Sequence, residues 1–94
     1  MKAIALQKGA VNMKYKSRIT GQIIGRLRTR RGMSQEVLSG LSGVARSHLA
    51  MIETGSKNAN VDTLWRIAEA LDMRLSELIQ LVEAELERQE RAQG

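Results

Sequence analysis

From Thr20 onward the apolar positions fall into short helical periods, each closed by a glycine or opened by a capping residue. Ile24, Leu27 and Arg31 share one face of a first helix, and Gly32 supplies its C-terminal stop. Ser34 is a good N-cap for a second helix, with Glu36 in the first turn, where the helix dipole favours an anion. Leu38 and Leu41 are the expected buried face of that helix. Gly43 interrupts the pattern as a left-handed position that an ordinary side chain resists, and Val44 follows as an apolar plug. A third helix runs from Arg46 to Glu53 with Leu49 and Ile52 inward, and Gly55 ends it. Asn60 caps a fourth, in which Leu64, Ile67, Ala68 and Leu71 sit at i, i+3, i+4 and i+7. After a break at Asp72, Leu75, Leu78, Ile79, Val82 and Leu86 mark a fifth helix that continues through Glu87–Arg91. The prediction is an all-α fold, a compact five-helix bundle.

Composition narrows this further. The 94 residues suffice for one small domain that buries roughly two-thirds of its unfolded surface, so a deep catalytic cleft is not expected. With no Phe, one Trp and one Tyr, the core must be aliphatic, and the absence of Pro favours helices. No Cys is present, which removes disulfides and thiolate metal sites. Near the start, the apolar run Ala3–Leu6 is too short for a signal peptide or for a membrane span of about 20 residues. The expected location is cytoplasmic, without a membrane partner.

Charge divides the chain. Residues 1–33 hold nine Lys/Arg and no acid, residues 34–60 balance, and residues 61–94 hold four Arg against eight acids. A basic front and an acidic back orient a molecule in the field of a polyanion. Residues 1–17 read as a basic arm, either a disordered tail or a short strand, that reaches phosphates or the minor groove or simply stays solvated. Residues 18–80 form the globular unit. Residues 81–94 extend its last helix beyond what the domain needs, which suits a partner surface.

Two short helices joined at Gly43, the second opening on polar residues, suggest a DNA-reading unit: one helix crosses the backbone while the next presents side chains to the major groove. The stretch Ile24–Leu78 resembles the Cro/repressor-type helix-turn-helix family, also called the Xre family. It does so through Ser34-Gln35-Glu36, Leu38, Gly43-Val44, Ile52-Glu53-Thr54-Gly55, Thr63-Leu64 and Ile67-Ala68-Glu69-Ala70-Leu71. The resemblance implies a λ-repressor-like DNA-binding fold over residues 18–80 and a transcriptional regulator, a repressor among the possibilities. Restriction-modification controllers, phage-type repressors and general regulators share this minimal domain.

The resemblance also implies site residues. Ala45, Arg46, Ser47 and Met51, with His48 beside them, fall on base-facing positions. Gln35, Lys57 and Asn58 fall on phosphate-contacting positions, and Arg28 and Glu53 on a structural ion pair. Physical chemistry supports several of these roles independently. Arg46 suits a bidentate contact with guanine O6 and N7, Met51 a thymine methyl, and Lys57 with Asn58 a phosphate. The family pattern is broken in three places. Ser39 replaces a usual Ala, Ala45 replaces a usual Ser or Thr cap, and Arg74 stands where a capping residue opens the fifth helix.

Double-stranded DNA is therefore the expected partner, bound by a homodimer whose interface draws on Trp65, Leu78, Leu81 and Val82. A protein-interaction module, such as an antitoxin that binds a partner protein and its own promoter, is the competing reading. An enzyme is the weakest one, since no nucleophile–base pair, phosphate loop or metal-ligand spacing is visible. No cofactor, metal or small-molecule ligand is expected, and a lone His48 lacks companions for a metal site. The acidic run Glu83/Glu85/Glu87 reads as a solvated helix face.

Overall fold

The computed structural model describes residues 13–93, and all regular structure among them is helical. The elements are α1 (Met13–Arg30), α2 (Gln35–Ser42), α3 (Arg46–Thr54), α4 (Val61–Ala70) and α5 (Leu75–Gln93). Residues 1–12, most of the expected basic arm, lie outside the described residues.

The first helix corrects the sequence reading, because residues 13–17, expected in the arm, form its opening turns. The reason is a stripe that starts earlier than Thr20. Tyr15, Ile19, Ile23 and Leu27 recur every four residues, so they stack on one helical face. Ile19 and Ile23 are buried, and half-buried Tyr15 packs against the core. The polar run Lys16-Ser17-Arg18 hides this stripe in the sequence. Thr20 adds a bond from its hydroxyl to the Lys16 carbonyl at 2.9 Å.

The core is aliphatic. Ile24, Leu38, Leu49, Ile67, Leu71 and Leu78 are fully enclosed, with each buried side chain of this size worth about 1.5–3 kcal/mol. Leu41, expected on the inner face of α2, is instead 61% exposed. That face runs through Leu38 and Ser42, and the left-handed turn at Gly43 brings buried Val44 into the apolar slot.

Helix ends are satisfied in different ways. Ser34 caps α2 by accepting from the Val37 N–H at 3.1 Å, and Asn60 caps α4 by accepting from Thr63 at 2.8 Å. At α5, where Arg74 offers no capping side chain, the Glu77 carboxylate reaches back to the Arg74 N–H at 2.8 Å. No side chain caps α3 at Ala45.

The last helix brings two more corrections. Leu78 and Val82, expected at a partner surface, lie in the core, because they sit one turn apart on the face that α5 turns toward the bundle. Glu85, expected in a solvated acidic face, continues that inward face and is buried. It accepts from Arg88 and from Gln89 Nε2 at 2.8 Å, and Arg26 of α1 approaches within 3.5 Å. The Arg88 and Gln89 bonds lower the Glu85 carboxyl from 4.5 to about 2. Tyr15 completes the tie by donating its hydroxyl to Gln89 Oε1 at 3.0 Å. The extension of α5 therefore packs on α1 of its own chain. Among the described residues, no helix is long and apolar enough to cross a membrane.

Candidate nucleic-acid interface

Helices α2 and α3 meet at a bend locked by glycine and serine. Gly43 has φ 73°, a backbone state open to glycine at little cost, and its N–H bonds the Ser39 carbonyl at 2.9 Å. Ser39 donates its hydroxyl to the Val44 carbonyl at 2.6 Å, while the Val44 N–H donates to Ser42 Oγ at 3.2 Å. The serine that departs from the family's Ala thus holds the turn. Its position ahead of Gly43 is the sequence signal, since Ser side chains bond nearby backbone in turns.

Beyond the bend, α3 keeps two faces apart. Leu49 and Ile52 are buried, whereas Ala45, Arg46 and Ser47 are exposed and Met51 is 39% exposed. His48 is half-buried beside them. The expected base-facing residues are therefore accessible along α3, from its N-terminal cap at Ala45 to Met51 in its second half, with half-buried His48 between them.

The C-terminal end of α3 is anchored electrostatically. Arg28 grips Glu53 with two parallel bonds, Nε to Oε2 at 2.7 Å and Nη2 to Oε1 at 3.0 Å. The same guanidinium donates to the Met33 carbonyl at 2.8 Å, and Gln35 Nε2 donates to Glu53 Oε1 at 3.1 Å. One carboxylate thus ties α1, the start of α2 and the end of α3 together. The Glu53 bond raises the Arg28 guanidinium above its usual value. Glycine lets the backbones close in, because a Cβ on Gly21 would lie 2.7 Å from the Glu53 carbonyl oxygen. Gly25, four residues on, faces the Glu53 side chain. This small-residue pair is the sequence signal for the α1–α3 contact.

After Gly55, at φ 83°, the loop folds back so that the Ser56 and Lys57 N–H groups bond the Met51 carbonyl at 3.0 and 3.2 Å. Lys57 and Asn58 are exposed, and the Ser17 hydroxyl of α1 donates to the Asn58 amide oxygen. Gln35 is half-buried, away from this loop in sequence but joined to α3 through Glu53. Trp65 and Leu81 are exposed, at 53% and 41%. Among the described residues, no group of three or more His, Cys, Asp or Glu side chains is placed to hold a metal ion.

The HTH_3 helix-turn-helix family model matches residues 24–78, more than half of the chain and all of the bend just described. The chain belongs to the HTH_3 helix-turn-helix family. Within that family it is similar to an uncharacterized HTH-type transcriptional regulator, y4dJ, of Sinorhizobium fredii, at 34% identity across 66% of this chain and 80% of that protein. Among solved structures it resembles the restriction-modification controller protein C.AhdI of Aeromonas hydrophila, at 39% identity and a TM-score of 0.64. That match covers 66% of this chain and 94% of the controller. The clp gene regulator ClgR of Corynebacterium glutamicum shares the fold, with a TM-score of 0.77 at 18% identity over 83% of each chain. This HTH_3 chain is a DNA-binding transcriptional regulator by family.

Proposed function

We propose that this HTH_3 protein acts in the cytoplasm as a homodimeric regulator that reads a near-palindromic operator through the edge Arg46–Met51. The observation that carries this reading is the split of α3, with Leu49 and Ile52 enclosed while Arg46, Ser47 and Met51 stand free on one side. A rigid, outward polar edge after a tight bend suits entry into the major groove. Arg46 takes a guanine, Met51 a thymine methyl, and Ala45, Ser47 and His48 shape the fit around them. Lys57, Asn58 and Gln35 position phosphates without reading sequence. Arg28 and Glu53 hold α3 at its angle. A half-buried pair of this kind adds little net stability, yet loss of one partner strands the other, at about 3–5 kcal/mol if fully buried.

Exposed Trp65 on α4 and Leu81 on α5 support the dimer, since Trp is enriched at subunit contacts. Two copies place their recognition helices about 34 Å apart on one face of the duplex. An apolar groove lined by Trp65, Met73, Leu75 and Ile79 favours one second reading, in which a partner protein such as a toxin occupies that surface. Binding-site selection from random duplex DNA, with the mass of the complex, tests both. A palindromic consensus and two protein chains per duplex support the regulator. Recovery of random sequence would sink it, and a stoichiometric foreign partner would favour the second reading.

A further inference from the structure

The opening turns of α1, Met13–Ile23, precede the family match, which starts at residue 24. They run alongside the loop that follows α3, and a concave surface opens between them. Its walls carry Ser17 and Arg18 from α1 and Ser56, Lys57 and Asn58 from the loop, with Gly55 at its floor. The approach is close, since a Cβ on Gly55 would lie 2.7 Å from the Arg18 Cα. The lining holds two cations and no carboxylate. Neither Arg18 nor Lys57 forms an ion pair among the described residues.

Arg18 is held ready rather than loose. Its guanidinium carbon sits 5.5 Å from the centroid of the Tyr15 ring, a cation–π distance, and α5 pins that ring through the Tyr15–Gln89 bond. A planar guanidinium shelved in this way loses less freedom on binding an anion than a solvated one. Ser17 occupies the Asn58 amide oxygen, which leaves the Asn58 NH2 group as the end offered to a ligand.

We propose that this cleft is a phosphate seat that takes a backbone phosphate of the DNA, at the end of α3 opposite Arg46. Arg18 and Lys57 supply the charge, and Asn58 and Ser56 supply neutral donors. The negative end of the α3 dipole opposes an anion there with only about half a charge, against two full cations. The nine residues of α3 span about 13 Å, close to the roughly 12 Å width of the major groove. When the N-terminal edge faces bases, the opposite end therefore lies near a bordering strand. This rests on the DNA-reading function proposed above and adds to it Arg18, which lies outside the family match and joins Lys57 and Asn58 at one phosphate.

The test is the salt dependence of binding to a selected duplex and to a random one, for the full chain and for Arg18→Gln, Arg18→Lys and Arg46→Ala. Each neutralised phosphate contributes about 0.9 to the slope of log K against log salt. Arg18→Gln is expected to lower that slope by about 1 and to weaken both duplexes alike, while Arg18→Lys keeps the slope. An unchanged slope in folded Arg18→Gln, with Arg46→Ala still altering sequence preference, overturns the seat and leaves the regulator intact. Failure of the unmodified chain to prefer the selected duplex removes the functional reading itself. Inorganic phosphate is the second probe. Saturation of the cleft by phosphate, with the duplex slope unmoved by Arg18→Gln, assigns the site to free phosphate and overturns a DNA contact.

Discussion

Gly21 of α1 lies so close to Ile52 that the carbonyl oxygen of Ile52 occupies the space a Cβ would need. Helix α3 thus rests, backbone on backbone, against the first helix at the one buried position where α1 has no side chain. Glycine inside a helix costs about 1 kcal/mol relative to alanine, and here that cost sets the angle of α3.

Gly21→Ala is expected to destabilise the protein by about 1–3 kcal/mol despite its better helix propensity, because the obstructing atoms are backbone. Gly25→Ala is the control. Its Cβ would meet a side-chain oxygen of Glu53 at 3.2 Å, a contact relieved by a few tenths of an ångström, so its effect is smaller. Denaturant titration of the two variants checks the difference, and equal stabilities would refute the close-packing account.

Arg46→Ala should relax preference at one base pair in each half-site, with a loss of about 1–3 kcal/mol of discrimination. Lys57→Ala should instead weaken all sequences nearly equally. Competition binding against a panel of single-base operator variants separates the two patterns. An intact preference after Arg46→Ala would move base reading elsewhere.

The uncapped start of α3 gives a third expectation. Ala45→Ser supplies the missing acceptor for the first N–H groups and should stabilise the fold by about 1 kcal/mol. That corresponds to a Tm higher by roughly 4–8 °C in a domain of this size, measurable by calorimetry. No gain in Tm would mean that the Ala45 backbone already satisfies the turn.

Acid sensitivity should trace to Glu85. Its carboxyl titrates at about 2 in the folded protein against an ordinary 4.5. A lowered folded value means that the tie to Arg88, Gln89 and Arg26 is fully present above the ordinary value and fades as pH falls toward 2. Glu85→Gln should therefore melt lower than the unmodified protein near neutrality, with the gap closing across that acid window. Melting curves that stay parallel throughout would assign the stability to another group.

Much of this was legible in the sequence. Ser34, Gly43, Gly55 and Asn60 marked their helix ends because cap and left-handed positions demand particular residue types. Leu49 and Ile52 against Arg46 and Ser47 showed the two faces of α3 through simple periodicity. The rest depends on tertiary partners. Tyr15 reads as part of a polar arm until α5 is there to receive its hydroxyl. Glu85 reads as solvated until Arg26 is brought across from α1. Leu41 lost its inward place to Val44, a substitution dictated by the direction of the bend and invisible to spacing alone.

The Tyr15–Gln89 bond joins residues 74 positions apart. Contacts this distant must close the longest loop of the chain, so they form after local helices and their neighbours have assembled. Weakening this clasp should therefore quicken unfolding and leave the refolding rate nearly unchanged. The persistence of the folded state is thus governed where the two outer helices meet, and because the same Tyr15 ring shelves Arg18, a change at this clasp is felt on the α1 surface as well.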